Sequence, residues 1–98
     1  MNDRHAAWVI GHVSVKDAAK WDQYRHSVPA TVTPFKGELL LRGVMTDVLH
    51  GVHTHTDSVV LGFPDLDAAR NWHASAAYQA LIPLRTQAAD VDLIIVAA

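Results

Sequence analysis

The chain has no cysteine among its 98 residues, and that absence closes several routes at once. It excludes a disulfide framework, a thiolate nucleophile and any Cys-type zinc or iron–sulfur site. It also fits a reducing compartment, so a cytoplasmic location is the expectation. Positive charge is scarce as well: eight Lys and Arg against ten Asp and Glu give a formal net charge of −2. A nucleic-acid binder needs a basic face to displace counterions, and no run of Lys or Arg points to an anionic membrane surface. No apolar run approaches the roughly 20 residues of a membrane-spanning helix. The opening "MNDRHAAWVIGHVSV" has no basic segment leading into a long apolar core, so no secretory leader is expected. The five glycines form neither a phosphate loop nor a dinucleotide fingerprint. No serine has the Gly-x-Ser-x-Gly setting of a nucleophile elbow.

What the chain does have is apolar content: 50% of residues are hydrophobic and only 18% charged. Residues 1–98 are read as a single domain, and one this short buries only about 60–65% of the surface its unfolded chain exposes. The apolar surface left over calls for a partner, and a second copy of the chain is the simplest one.

Periodicity supplies the elements. "AWVIGHVSV" alternates with period two, Val9, Gly11, Val13 and Val15 on one side and Trp8, Ile10, His12 and Ser14 on the other. Asp17 is placed as the N-cap of a helix through "AAKWDQYRHSV", with Ala18, Trp21, Tyr24 (or Arg25) and Val28 on one stripe. Pro29 and Pro34 are expected to break or bend it, and Gly37 to end the unit. "ELLLRG" at 38–43 reads as a second strand, and "DVLHGV" at 47–52 as its bulged continuation or a short separate strand. "SVVLGF" at 58–63 is a third strand, apolar on both faces. Asp65 caps a helix through "LDAARNWH", with Leu66, Ala69 and Trp72 (or His73) inward. Ser75 caps another through "AAYQALIPLRTQAA", which Pro83 should kink. "DLIIVA" at 92–97 closes the set. Strand, helix, strand, strand, helices, strand is the split βαβ order of an α+β, ferredoxin-like sandwich, an antiparallel sheet with helices on one face. Two strands that read as apolar on both faces imply sheet-on-sheet packing in a homodimer.

The run "FPDLDAARNWHASAAYQALIPLR", with "VSVKD", "YRHSVPATVTPFKGELLLRG" and "DVLHG" before it, resembles a small bacterial family known only as a domain of unknown function, number thirteen-thirty. The resemblance covers nearly the whole chain. It implies the dimeric α+β barrel, a ferredoxin-like dimer whose two sheets face each other, and it implies no reaction. Relatives in that wider superfamily include cofactor-independent monooxygenases, haem-degrading enzymes, small isomerases and ligand-sensing modules. Two departures stand out: His50 occupies a position often acidic in the family, and Ala76 and Ala77 replace a frequent Pro-Glu, leaving Ser75 to cap alone.

The chemistry-bearing residues fall into two groups. "LHGVHTHTDS" holds His50, His53 and His55, with Asp57 beyond. On an extended strand His53, His55 and Asp57 would share a face and suit zinc, but a solvated turn is the plainer reading, and no metal site is expected. The second group is His12 and Arg42 from strands, Tyr24, Trp72 and Tyr78 from helices, and Arg85 two turns after Tyr78. Meeting at one end of the sheet, they would make an aromatic cleft for a small anionic or phenolic ligand. An arginine would hold the oxyanion, His12 would act as base near neutral pH, and His50 would contribute from its strand. Aromatic residues at helical spacing are more often core than site, and His5, His26 and His73 read as surface. The expectation is a cofactor-independent enzyme, of oxygenase or isomerase type, acting on a small aromatic or carboxylate compound. The alternatives are a binding module using the same cleft without chemistry, or a structural homodimer.

Overall fold

Alternation from Ala7 onward builds the strand that runs through the centre of the sheet. The structure, a computed structural model, describes residues 5–98, so the reading against a secretory leader falls partly outside the described residues. Strand β1 spans Ala7–Val15. Ala7, Val9, Gly11 and Val13 are buried, while Trp8, Ile10, His12 and Ser14 are half-buried on the opposite face. Asp17 caps helix α1, Ala18–Val32, accepting the Lys20 amide at 3.1 Å.

The expected break at Pro29 does not occur: α1 runs through it. Pro29 is exposed, so its ring meets no packed neighbour element, and the helix continues past it with one backbone hydrogen bond fewer. Its own carbonyl accepts the backbone N–H of Thr33 and, at 3.0 Å, the Thr33 hydroxyl. Pro34 lies in the first turn of a short 3₁₀ helix, Thr33–Phe35, where an amide is dispensable. Lys36, not Gly37, takes the left-handed conformation that ends the unit (φ 59°). Gly37 is required for proximity instead, since a Cβ there would lie 2.5 Å from the Phe63 ring.

The remaining elements are β2 (Glu38–Val44), β3 (Asp57–Phe63), α2 (Leu66–Ala74), α3 (Ala76–Gln79), α4 (Ile82–Ala88) and β4 (Ala89–Ala97). Asp65 caps α2 through the Ala68 amide at 2.7 Å, and Ser75 caps α3 through the Tyr78 amide at 3.2 Å. The expected long helix after Ser75 is two short ones rather than one kinked one. Pro83 falls in the first turn of α4, where its ring fits without displacing a bond. "DVLHGV" is not a strand. Residues 45–56 form an irregular connection that Gly51 turns at φ 85°. Leu49 and Val52 find no sheet or core to cover them within the protomer.

The sheet order is β2-β3-β1-β4, every neighbour antiparallel. With that chain order it is the ferredoxin-like α+β arrangement. Register assigns the faces. Val9 lies opposite Leu61 and Ile95, toward the helices; Ile10 lies opposite Val60 and Ile94, away from them. The core gathers Val9, Tyr24, Phe63, Trp72 and Tyr78 between sheet and helices. The other face is apolar and uncovered: Leu40, Leu41, Ile94 and Val96 are exposed beside half-buried Trp8, Ile10 and Val60. Among the described residues no helix is long and apolar enough to cross a membrane.

Candidate functional site

A cleft of about 280 Å³ opens between α1 and the helix-covered face of the sheet. Trp21, Tyr24, Arg25 and Val28 line it from α1, a stripe that three- and four-residue spacing puts on one side of a helix. Val9, Leu61 and Leu93 form the sheet wall, and Trp72 enters from α2. Glu38, Leu39 and Arg42 come from β2. A regular strand would send Leu39 and Arg42 to opposite faces, because they are an odd number of positions apart. The bulge between Leu39 and Leu41 resets the alternation, so Leu39 lies opposite Leu61 and Arg42 opposite Val59 on the same face. The bulge is therefore what brings the Arg42 guanidinium to the cleft.

Two hydrogen-bonded rows support its inner wall. The Trp72 indole donates to the Thr31 hydroxyl at 3.1 Å, and Thr31 donates to the Val28 carbonyl at 2.6 Å. Tyr24 and Tyr78 hydroxyls meet at 2.8 Å, and Arg85 Nη1 donates to the Tyr78 hydroxyl at 2.8 Å. Tyr78 packs its ring 4.3 Å from that of Trp72 and lies behind the cleft wall with Arg85. Burial pushes the Tyr24 phenol far above the ordinary tyrosine range, Tyr78 pushes it the same way, and Arg85 offsets this only in part.

That shift has a sign for stability. A phenol whose folded pKa lies above its unfolded value of about 10 keeps the fold fully stable below pH 10. Stability then falls as pH rises, because the unfolded chain ionises first. Wild type should lose up to about 1 kcal/mol per pH unit above pH 10, and Tyr24→Phe should lose less over the same range. Urea unfolding followed at pH 9, 10 and 11 measures both slopes; equal slopes would contradict this account.

The expected single cleft containing both His12 and Arg42 needs correction. His12 lies opposite Ser58 and Arg42 opposite Val59, adjacent residues of β3 that point to opposite faces. The sheet separates the two side chains. His50 is exposed in the irregular connection, not on a strand, and does not line the cleft. Tyr24, Trp72 and Arg42 do converge, with Tyr78 and Arg85 one layer behind.

His12 belongs to a second group on the open face. Its Nδ1 lies 3.3 Å from the Ser58 hydroxyl, and its ring meets that of His53 edge-on at 5.1 Å. His55 bridges Ser14 (3.0 Å) and Asp92 (2.9 Å). This row looks like a serine–histidine–carboxylate relay, but the imidazole turns Nδ1, not Nε2, to the serine, and the Asp92 side chain is 72% exposed. It straps the 45–56 connection to β1 and β4. Among the described residues no group of three His, Asp or Glu is arranged to hold a metal ion. His5, expected at the surface, is only half-buried as a residue but has its side chain tucked in, 8% exposed and paired with Glu38 at 2.8 Å.

Comparison with known proteins follows the fold. The sequence profile of the family described as "Domain of unknown function (DUF1330)" matches residues 6–98. The chain belongs to this family. The DUF1330 chain also resembles solved structures. A protein of unknown function from Rhodopseudomonas palustris, RPA0582, superposes with a TM-score of 0.79 at 14% identity, over 97% of this chain and 83% of that one. SnoaB, a cofactor-independent oxygenase from Streptomyces nogalater, gives 0.67 at 12% identity, over 96% and 93% of the two chains. A dimeric ferredoxin-like protein of unknown function from Thermobifida fusca gives 0.62 at 13%, over 96% and 92%. No curated protein matches this DUF1330 member.

Trp21 and Arg25 line the cleft although the sequence places them only on the helical stripe, and Thr31 stands behind the wall as the partner of the Trp72 indole. Arg25 was weighed only as an alternative to Tyr24 on the buried stripe, yet both line the cleft. Its place one turn beyond Trp21 was the available signal.

Proposed function

We propose that this chain is half of a homodimer that binds a small aromatic compound carrying an anionic oxygen in the cleft beneath α1, and acts on it without a cofactor. One observation carries the reading. The cleft is walled by Trp21, Tyr24, Trp72 and aliphatic side chains; Arg42 comes to it from β2 beside Glu38, and Arg25 from α1 with its Nε bonded to Asp22 at 2.9 Å and its other nitrogens left to donate. Such a lining suits a flat apolar body with a charged end. A planar guanidinium binds carboxylate or phenolate oxygen through paired donors. The likeness in fold to a cofactor-independent oxygenase supports the enzyme class.

The dimer is supported by shape. The chain measures 33 × 31 Å across and 16 Å through, with an uncovered apolar sheet face. A stable interface needs roughly 800 Å² per partner, and an open sheet face carrying Trp8, Ile10, Leu41, Val60, Ile94 and Val96 is the apolar surface suited to supply it. A dimeric protein of the same fold points the same way.

The test is titration with 2-naphthoate, read by quenching of tryptophan fluorescence, then aerobic incubation with naphthols and naphthoates and mass spectrometry of the products. Binding should weaken about tenfold in Arg42→Gln, the usual cost of one charge-assisted contact. No quenching at the probe's solubility limit would sink the cleft as a ligand site. Binding with no product throughout would favour the second reading, a binding module. One observation supports that alternative: His12, the base expected from sequence, lies across the sheet from the cleft.

A further inference from the structure

Two buried phenols share one hydrogen bond, and the direction of that bond is set by which hydroxyl has another place to send its proton. Arg85 Nη1 lies 2.8 Å from the Tyr78 oxygen, and a guanidinium only donates, so Tyr78 accepts. Tyr78 is 0% exposed and its ring does not line the cleft, so its own proton needs a buried acceptor. The Tyr24 oxygen, 2.8 Å away, is that acceptor. The opposite direction would leave the Tyr78 proton sealed in the core with no partner, a penalty native interiors avoid. Tyr24, in contrast, forms part of the cleft wall.

We infer that Arg85, Tyr78 and Tyr24 form a one-way hydrogen-bonded row that presents the Tyr24 hydroxyl to the cleft as a donor for an anionic oxygen of the ligand. The inference rests on the proposed use of the cleft and deepens it. Arg85 and Tyr78 are positioning residues; Tyr24 is the group that touches the ligand. A cation at the head fixes the direction of the row, and burial keeps the Tyr24 proton in place, so the row ends in a neutral O–H donor rather than a phenolate. The ligand class follows: a phenolate, enolate or carboxylate oxygen is favoured over its neutral acid, because only the anion gains fully from a charge-assisted donor.

4-Nitrophenol serves as the probe, since its phenol and phenolate absorb at different wavelengths and both are small enough to enter. Wild type should bind the phenolate in preference to the phenol. Tyr24→Phe should cut that preference about tenfold, in line with loss of one hydrogen bond to a charged group. Tyr78→Phe and Arg85→Gln should each cut it severalfold while changing affinity for neutral phenol by less than about twofold. A purely structural role would weaken both forms together, and both Tyr→Phe changes keep the ring that packs the core. If Tyr78→Phe and Arg85→Gln keep the full wild-type preference, or weaken both forms alike, the row is overturned while the cleft stands. If the wild type binds neither form, the cleft reading itself falls and takes the row with it.

Discussion

If two copies pair as proposed, Ile10→Asp is expected to give a folded chain that sediments as a monomer where wild type sediments as a dimer. Ile10 lies on the central strand, flanked on the open face by Val60 and Ile94. Trp8 and the exposed Leu41 and Val96 extend the same surface. Within one protomer the substitution is tolerable, because Ile10 is only half-buried and no helix covers that face. Across a two-fold interface it would bury a carboxylate in each copy with no cation opposite. At about 3 kcal/mol or more per buried charge, the dissociation constant should rise at least about 10⁴-fold. Gln23→Glu, an equally acidic change on the exposed side of α1, should leave assembly unchanged. Sedimentation velocity decides, with circular dichroism to verify folding. A dimeric Ile10→Asp would mean that the open sheet face is not where two copies meet.

That face was legible in the sequence because strand periodicity is strict. Each residue of "AWVIGHVSV" falls on the side its parity dictates, and the caps at Asp17, Asp65 and Ser75 sit where short polar side chains precede helical stripes. What misled was proline. Its effect depends on where the ring lands in a helix, and the sequence does not say whether a given turn is the first or the third. Pro29 is tolerated on an exposed surface, and Pro83 opens a helix instead of bending one. The 45–56 connection misled for another reason: Val48, Leu49 and Val52 look like strand residues, but this face of the protomer has nothing for them to pack on.

For the candidate cleft, several lining residues were legible in the sequence by type, and their grouping was not. Arg42, Tyr24 and Trp72 do meet, and the side chains of Tyr78 and Arg85 stand behind them. Whether Arg42 shares a face with His12 turns on one bulge in β2 and the pairing of β1 with β3, which no local pattern reveals. His5 was misjudged similarly. A terminal histidine reads as surface, yet pairing with Glu38 over Gly62 tucks its side chain in, and a Cβ on Gly62 would lie 2.7 Å from the His5 ring.

Trp72→Ala should be the most damaging single change to the protomer. The indole is almost wholly buried, packs in tilted contact with Tyr78 at 4.3 Å and Phe63 at 5.6 Å, and donates to Thr31. Truncating such a side chain costs about 3–5 kcal/mol, from lost transfer energy and the cavity left behind. A domain of this size has about 5–15 kcal/mol in all, so about a fifth of the stability or more goes. Because Trp72 also walls the cleft, loss of ligand binding in that variant would say little about recognition. Thr31→Val separates the two roles. It keeps volume and leaves the indole ring in place, but strands the buried N–H, at a cost of about 1–3 kcal/mol. Urea unfolding should therefore rank wild type above Thr31→Val and Thr31→Val above Trp72→Ala. 2-Naphthoate should still bind Thr31→Val to within a few-fold, because the apolar wall it meets is intact. If Thr31→Val matches wild type in stability, the indole N–H is satisfied in some other way and the row behind the cleft is not rigid. If it folds stably and loses the probe, Trp72 acts on the ligand through its orientation and not merely as a wall.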